Sequence, residues 1–328
     1  MTTHAAWRYH LRAQRGLYGA AAMFVVIFAL YIAKHPVGWT LPVLTTAANK
    51  GVLLAIVAMA QTLPVLTSGI DLSVGMVFVL ANCLASHLVV GTPLQAALGI
   101  VVVLAAGALC GLINGLIIVF GRLQPIITTL ATGTVYFGLA LGLRPVPGGQ
   151  VHAGMADAVT GAPLGVPSLL LVLLAVVVLL WVPYRKSAIG RAALAIGSSE
   201  NAAYMSGVPI GRAKIVTYTL AGLLAAIGGL LLTFVTYSGE ASSAIGGTYT
   251  LNSIAAVVIG GTSLAGGAGS AIGSVFGALV LRTIGDLLFV FDLEPLWQPL
   301  FQGVILLVAV SLGALRLLKV TNRLEVFK

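Results

Sequence analysis

Residues 184–214 read YRKSAIGRAALAIGSSENAAYMSGVPIGRAK, a polar segment in the middle of an otherwise apolar chain. We call this segment the polar island. It carries one acid, Glu200, and five of the chain's 17 Lys and Arg residues: Arg185, Lys186, Arg191, Arg212 and Lys214. Long apolar stretches flank it on both sides. A short amphipathic element in a basic loop of a membrane protein is expected to be presented to a soluble partner.

The composition of the chain requires lipid as its solvent. Of 328 residues, 59% are hydrophobic and 8% are charged, whereas soluble domains carry about 25% charged residues. The length allows about ten spans of about 20 residues and leaves no room for a separate soluble domain. Because the sequence contains no GxxxxGKS/T motif, any ATP and Mg must be bound by a partner chain. The net charge of +9 is expected from basic cytoplasmic loops, not from nucleic-acid binding.

The apolar runs predict an all-α integral membrane protein with about ten transmembrane helices, some of them broken or short. The whole chain, 1–328, is predicted to form a single transmembrane domain, with a cytoplasmic tail at 1–16 and a cytoplasmic loop at 184–214. The predicted spans are 17–33, 51–67, 71–92, 95–121, 126–143, 166–183, 214–237, 250–263, 270–291 and 298–316.

The Lys and Arg residues predict the orientation of these spans. With the N-terminus in the cytoplasm, the basic residues of the N-terminal tail, the island and the C-terminal end all lie inside, together with Arg122. Only Lys34 and Arg144 lie outside, while Lys50 and Arg282 fall within or near spans. This asymmetry is the positive-inside pattern, so both termini are predicted to be cytoplasmic.

Two spans carry glycine at every fourth position, which places bare backbone along one helix face and predicts close helix packing. The two sets are Gly107, Gly111 and Gly115 in the fourth span, and Gly269, Gly273 and Gly277 in the ninth. Because these spans are five apart, the pattern also indicates an inverted repeat of spans 2–5 and 7–10. The alternative is that glycine-rich spans are common and the match is coincidence.

The stretch TSGIDLSVG at 67–75 interrupts the apolar runs with an acid. An Asp at membrane depth costs about 2.5–3.5 kcal/mol on insertion scales, so it must be paired, capped or hydrated. Asp71 therefore either lines the path of a polar solute on a broken helix, or caps the third helix near the cytoplasmic interface. The sequence leaves both interpretations open, and they are compatible.

Uncharged polar side chains recur within the spans. Amides and hydroxyls suit a neutral solute such as a sugar better than they suit an ion. The residues predicted to line a solute path are Gln61, Asp71, Ser73, Asn82, Asn114, Thr128 and Asn252. The alternative is that such side chains hold helices together. A short helix between the glycine-rich segments at 246–247 and 260–269 is also expected to line the interior.

The other residues that could carry chemistry are scattered along the sequence. Arg282 and Asp286 stand four residues apart on the ninth span, and we expect a structural pair, with a proton relay as the alternative. The five His residues show no metal-ligand spacing, and Cys83 and Cys110 fall in apolar runs. No nucleophile has a base beside it, so we expect neither catalysis nor a metal or cofactor in this chain.

Four segments resemble the permease subunit of bacterial sugar-importing ABC transporters of the ribose/xylose/galactose type. They are SGIDLSVG at 68–75, INGLIIVFGRLQPIITTLAT at 113–132, AIGSSENAAYMSGVPIGRAK at 195–214 and IAAVVIGGTSLAGGAGSAIGSVFGALV at 254–280, in the family's order. The family often has an acid in the motif LDAIAAVV, where this chain has Asn252. The resemblance therefore does not name the sugar that this chain carries.

The resemblance implies a permease that moves a neutral monosaccharide across the bacterial inner membrane. It implies ATPase subunits beneath, a periplasmic sugar-binding protein above and a second permease subunit beside this one. The island would contain the coupling helix that docks on the ATPase, with the residues Gly197, Ser198, Glu200, Asn201, Ala202, Ala203, Ser206 and Gly207. The alternatives are an ion-driven secondary transporter that uses Asp71 or the Arg282–Asp286 pair, a permease for another solute such as a branched-chain amino acid, and a membrane-embedded enzyme.

Overall fold

The computed structural model describes residues 15–294 and, beyond them, residues 297, 300, 301, 303, 304 and 307. The regular structure of this part of the chain is helical, apart from one isolated bridge between Gly148 and Gly239. The helices up to residue 290 are α1 (Arg15–Lys34), α2 (Leu41–Leu66), α3 (Val74–Leu88), α4 (Pro93–Phe120), α5 (Pro125–Leu143), α6 (Ala153–Thr160), α7 (Ser168–Lys186), α8 (Ala188–Ser198), α9 (Glu200–Met205), α10 (Ile210–Thr236), α11 (Ser243–Ile259) and α12 (Ala271–Val290). A π-helical segment, Val177–Trp181, lies within α7.

Seven of the described helices are long and apolar enough to cross a membrane: α1, α2, α4, α5, α7, α10 and α12. Helices α3 and α11 are apolar but only 15 and 17 residues long. The all-helical membrane architecture is therefore confirmed, whereas the number of about ten spans is not. The predicted tenth span, 298–316, lies largely outside the described residues, as does most of the predicted tail, 1–16.

Two helix boundaries differ from the predicted spans. Helix α2 begins at Leu41, well before the predicted residue 51. A proline lies in its first turn, where the backbone N–H groups have no helical acceptor, so the missing N–H of proline costs the helix nothing. Helix α11 begins at Ser243, so Gly246 and Gly247 lie inside the helix and do not break it. Gly246 instead allows α11 to approach α3, since a Cβ there would lie 2.8 Å from Met76 Sδ. The short helix α6 was not predicted.

Helices α2 and α10 form the centre of the bundle. They pack against each other, and residues 51–67 at the end of α2 are all buried. Helix α3 packs on α10 as α11 packs on α2, and α3 and α11 contact each other. Helix α4 packs on α3 and α10, as α12 packs on α11 and α2. Helix α1 lies at the periphery, where it contacts α12 and is otherwise mostly exposed.

The glycines of α4 lie where this helix meets α10. A Cβ on Gly107 would lie 2.7 Å from Gly222 O, and a Cβ on Gly115 would lie 2.8 Å from Ile215 Cα. A Cβ on Gly111 would overlap the carbonyl oxygen of Tyr218. The backbones of α4 and α10 are therefore in direct contact, as small residues allow in lipid.

The glycines of the ninth predicted span serve a different contact. Gly277 faces α11, where a Cβ would lie 3.0 Å from Gly260 N, and Gly273 faces the carbonyl of Gly260. Gly269 corrects the predicted pattern, because it precedes α12 and lies in a loop beside Thr262 with a φ of +148°. The two glycine sets thus resemble each other in sequence but pack against different neighbours.

The loops divide between two ends of the bundle. At the island end, the start of α1 touches Gly261, and the loop 67–73 contacts both the island and the loop 260–270. At the far end, Gly148 and Gly239 exchange backbone hydrogen bonds of 3.0 and 2.7 Å. There, Asn49 of α2 also donates to the carbonyl of Thr160 at 2.8 Å. All the segments that carry the predicted coupling residues therefore lie at the island end.

Candidate transport site and coupling surface

The loop 67–73 between α2 and α3 carries a buried acid. Helix α2 ends where the Thr67 N–H donates to Pro64 O at 2.9 Å. Asp71 is 2% exposed, and its Oδ1 accepts hydrogen bonds from Ser73 N at 2.8 Å and Ser73 Oγ at 2.6 Å. Ser73 immediately precedes α3, so the carboxylate supports the start of that helix. This geometry favours the capping interpretation of Asp71.

Four of the predicted path residues meet at this loop. The Gln61 amide, oriented to satisfy both groups, donates to Asp71 O at 2.8 Å and accepts from Asp71 N at 3.2 Å. Asn114 Nδ2 donates to Ser73 Oγ at 2.8 Å, and Tyr136 OH donates to Asn114 Oδ1 at 3.1 Å. We call these five residues the Asp71 network. It joins α2, α3, α4 and α5 through groups that are almost completely buried.

Sequence reasoning missed Tyr136, because a tyrosine in an apolar run carries no signal that links it to an amide on another helix. It also missed the role of Thr129, whose Oγ1 accepts from the Leu72 N–H at 2.9 Å. Thr129 satisfies a backbone N–H that the break between α2 and α3 leaves without a helical partner, whereas Tyr136 bonds to Asn114 and so helps to position its amide. In this conformation the network therefore holds the break rigidly.

The other predicted path residues lie apart from this network. Thr128 is buried on α5, and Asn252 is partly buried on α11. Asn82 lies towards the far end of α3, where it donates to Thr233 Oγ1 at 2.9 Å and accepts from the Glu240 N–H at 2.8 Å. A continuous path through all seven residues remains a prediction.

Side-chain hydrogen bonds connect the loops and helices at the far end. Tyr237, the residue that follows α10, has a left-handed φ of 56° and donates a hydrogen bond to Asp157 Oδ1. This bond raises the pKa of Tyr237, because it stabilises the protonated phenol. Arg144 donates to Ser86 Oγ at 2.9 Å and to Ser86 O at 3.0 Å. These contacts hold the loops of the far end against α3 and α10.

The predicted Arg282–Asp286 pair forms, at 3.5 Å between Arg282 Nη2 and Asp286 Oδ1. Lys50 adds a second cation, with its Nζ 3.4 Å from the same oxygen. The sequence could not show this contact, since Lys50 is 236 positions from Asp286. The carboxylate therefore links α2 to α12, as expected of a structural group.

The island folds into two short capped helices. Ser187 begins α8 by accepting the Gly190 N–H at 3.1 Å, and Ser199 begins α9 by accepting the Ala202 N–H at 3.3 Å. Lys214 Nζ donates to both Glu200 oxygens at 2.8 Å, which ties α9 to α10. A small apolar cluster holds the two helices on α10: Ala192, Ile196, Ala203 and Ala213.

The predicted coupling residues divide into exposed and buried groups. Most of them are exposed: Ser198, Glu200, Asn201, Ala202, Ser206 and Gly207. Ala203 is 4% exposed and anchors α9, and Gly197 packs against the end of α2. Neither residue is therefore free to contact a partner. Tyr204 and Met205 were not predicted, yet they are 71% and 86% exposed. Large apolar residues within a short capped helix are the sequence signal that could have identified them.

Comparisons with known proteins show what this chain is similar to. The ribose import permease protein RbsC of Bacillus subtilis is 38% identical over 260 residues, which are 78% of this chain and 80% of that protein. The galactose/methyl galactoside import permease protein MglC of Escherichia coli is 31% identical over 319 residues, 91% and 94% of the two chains. The fructose import permease protein FrcC of Rhizobium meliloti is 33% identical over 280 residues, 82% and 77% of the two chains. No solved structure matches the chain.

A bundle with seven described helices long and apolar enough to cross a membrane defines a multi-pass membrane protein. Residues 43–310 match the family described as the permease component of the branched-chain amino acid transport system. The chain belongs to that family. The resemblance to sugar ABC import permeases is confirmed by its relatives, which are named as permeases and not as enzymes.

Proposed function

We propose that this chain is the transmembrane subunit of an ATP-binding cassette importer that carries a neutral monosaccharide across the bacterial inner membrane. The observation that carries the proposal is the similarity, over more than three quarters of the chain, to permeases named for ribose, galactose and fructose. The residues matched by the family, 43–310, include both the broken helix at 67–73 and the polar island.

The interior chemistry supports a sugar over a branched-chain amino acid. A zwitterion needs charged or strongly polar partners for both its ammonium and its carboxylate. The described buried polar side chains are amides and hydroxyls apart from Asp71, whose carboxylate already accepts two hydrogen bonds from Ser73. Hydroxyl and amide groups match the donors and acceptors of a neutral sugar.

The packing supports ten spans arranged as an inverted repeat. In the described part of the chain, nine helices are candidates, because α3 and α11 are short but apolar and buried beside α2 and α10. The contacts are symmetric: α2 pairs with α10 and α3 with α11, while α4 on α10 corresponds to α12 on α2. A two-fold relation between spans 2–5 and 7–10 accounts for these pairs. The predicted tenth span would complete the second half.

The charges support an island end in the cytoplasm. Arg15 and Arg122 lie at this end with the basic residues of the island, while Lys34 and Arg144 lie at the far end. The far end also carries exposed or partly exposed acids in its loops: Asp157, Glu240, Asp292 and Glu294. Under the positive-inside rule, the start of α1 is then cytoplasmic, and ten spans return the C-terminus to the same side.

The partners follow from this orientation. A separate ATPase subunit would bind ATP and Mg and receive α9, whose exposed Tyr204 and Met205 offer apolar anchors to a groove. A periplasmic sugar-binding protein would dock on the far end. A second permease subunit would lie beside this one in the lipid. Closure of the ATPase pair would then move α9 and open the solute path from one side to the other.

Reconstitution in proteoliposomes tests the proposal. The permease would be combined with the ATPase and the binding protein whose genes neighbour its own, and labelled ribose, galactose, fructose and leucine would be offered. We expect uptake of a sugar that requires both partners and internal ATP, and that continues when an uncoupler is added at constant ATP. Uptake of leucine alone would contradict the sugar proposal. Uptake by this chain alone, driven by an ion gradient, would instead favour a secondary transporter.

A further inference from the structure

Three chain segments meet in direct contact at the island end: the end of α2 at 66–68, the end of α8 at 197–198, and the glycine loop at 265–267 that precedes α12. Ser68 Oγ lies 2.7 Å from Ala265 O and 3.1 Å from Gly197 O. The Gly267 N–H donates to Leu66 O at 3.2 Å. We call this contact the Ser68 junction.

The junction has no room for additional side chains. A Cβ on Gly266 would lie 2.8 Å from Ser68 N and 2.9 Å from Gly197 Cα. A Cβ on Gly267 would lie 2.8 Å from Ser198 N, and a Cβ on Gly197 would overlap the carbonyl of Leu66. Gly266 and Gly267 also have φ values of +87° and +72°, which disfavour any other residue. Backbone therefore touches backbone among all three segments.

Ser68 itself is held in an unusual conformation. Its φ of 62° is left-handed, which is uncommon for a serine and persists only where the surroundings enforce it. A hydroxyl has one proton to donate, so Ser68 can fully satisfy either Ala265 O or Gly197 O but not both. A small movement of α8 relative to the glycine loop would transfer the hydrogen bond from one carbonyl to the other.

The Ser68 junction lies between the polar island and the Asp71 network, so a movement there can pass from one to the other. Asp71 follows Ser68 by three residues, and its network fixes the start of α3 and contacts α4 and α5. On its other side, α8 connects through Ser199 to α9. Displacement of α9 reaches α10 through the chain itself, but it reaches α2 and α12 most directly through this contact.

We infer that Ser68 is a positioning residue that transmits movement of the polar island to α2, to the loop before α12 and thereby to the Asp71 network. This inference rests on the proposed ATPase-driven function, since it supplies the route by which docking at α9 alters the membrane helices. Ser68 contacts neither the docking face of α9 nor the solute in this scheme. Its removal should separate ATP hydrolysis from transport without preventing assembly.

The test uses the complete transporter in proteoliposomes and the variant Ser68→Gly. Glycine accepts the left-handed backbone without strain, so this change removes the CH2OH side chain, and with it the hydroxyl, without straining the backbone. We expect normal copurification of the ATPase and a normal basal rate of ATP hydrolysis. Stimulation of hydrolysis by the sugar-loaded binding protein and sugar uptake should both fall by about fivefold, as expected for the loss of one hydrogen bond, at an exposed side chain, from the coupled state.

Thr67→Val is the matched control. The Thr67 hydroxyl donates only to Pro64 O of its own helix, at 2.8 Å, so stimulation should stay at the wild-type level. Ser68→Thr and Ser68→Ala form a second pair, because both strain the left-handed backbone and only threonine keeps the hydroxyl. We expect Thr to retain more stimulation than Ala, and this pair decides the question if the glycine variant does not fold.

The outcomes separate this inference from the proposed function. If the wild-type chain does not associate with the ATPase, the proposed function fails. If the wild-type transporter works and Ser68→Gly keeps full stimulation and uptake, the Ser68 inference alone is overturned. Equal stimulation in the Thr and Ala variants would likewise overturn it.

A glycine-to-alanine pair tests the junction from its other side. Gly266→Ala introduces a Cβ between Ser68 and Gly197, whereas Gly38→Ala imposes a similar left-handed strain, at a φ of +68°, with nothing within 4 Å of the new atom. We expect loss of stimulated hydrolysis only in Gly266→Ala. Equal behaviour of the two variants would show that backbone strain, and not contact among the three segments, explains any loss.

Discussion

Two polar segments interrupt this apolar chain, and the protein uses them in opposite ways. The loop 67–73 turns inward, where Asp71 is 2% exposed and its carboxylate accepts hydrogen bonds from Ser73. The polar island turns outward, where the Glu200 side chain is 53% exposed and pairs with Lys214. In the loop, the polar groups hold helices together. On the island, the side chains available to a partner include the apolar Tyr204 and Met205.

The difference shows that the environment of a polar segment decides which of its groups matter. Inside the bundle, an unsatisfied donor or acceptor costs its full desolvation energy, and in the loop 67–73 the Asp71 carboxylate and its neighbours satisfy one another. At the surface, water satisfies polar groups, and exposed large apolar residues are the feature that marks an interface. The acids of the two segments should therefore respond very differently to the same substitution.

Asp71→Ala should produce the largest loss of stability. The change leaves Ser73 N–H and Ser73 Oγ without their acceptor in a buried site, at a cost of about 3 kcal/mol. Thermal unfolding of the purified protein in detergent measures this loss. Asp71→Asn is the control, since it keeps an acceptor oxygen and should remain near wild-type stability. Wild-type stability of the alanine variant would show that water reaches this loop.

Ala202→Arg should abolish transport while leaving the fold intact. Ala202 is exposed on α9, so the new side chain has space in the isolated permease but would not fit a closely packed ATPase groove. We expect normal insertion and unfolding temperature, no copurification of the ATPase and no uptake. Ala195→Arg, at another exposed position, on α8, is the control and should still bind the ATPase. Survival of transport in Ala202→Arg would refute docking through α9.

Tyr204→Ala and Met205→Ala should weaken docking by a smaller amount. Each removes an exposed apolar side chain, and truncation of an interface anchor typically costs about 1–2 kcal/mol, or about tenfold in affinity. The affinity of the permease for its ATPase in detergent measures the effect. Val146→Ala, a change at the far end in a residue that is 69% exposed, should leave this affinity unchanged. Equal affinities for all three variants would place the docking contacts elsewhere on the island.

The sequence predicts the helical membrane fold well because the signal is local. Apolar runs and basic loops identify the long helices and one polar end without any knowledge of packing. The start of α2 was predicted ten residues too late, and the continuity of α11 through Gly246 was predicted wrongly, because a glycine at a helix contact resembles a break. Only the folded chain shows whether a glycine ends a helix or packs against one.

The Asp71 network could be predicted only in part for the opposite reason, since its contacts are not local. Asn114 is 41 positions from Ser73 and Tyr136 is 22 positions from Asn114, so no spacing rule connects them. Polarity within an apolar run identified Gln61 and Asn114. Tyrosine is common in such runs, so Tyr136 did not stand out. Ser68 was quoted as part of a motif, but its role depends on two distant backbone carbonyls.

Glu200→Ala should have the smallest effect on stability, although it removes a carboxylate with two 2.8 Å contacts to Lys214. Exposed ion pairs contribute about 0–1 kcal/mol, because water and salt screen them. Helix α9 is held mainly by apolar contacts, including that of Ala203, which is 4% exposed. We therefore expect an almost unchanged unfolding temperature in low salt and no difference from wild type in high salt. A loss as large as that of Asp71→Ala would show that the ion pair anchors α9, and would remove the contrast between the two polar segments.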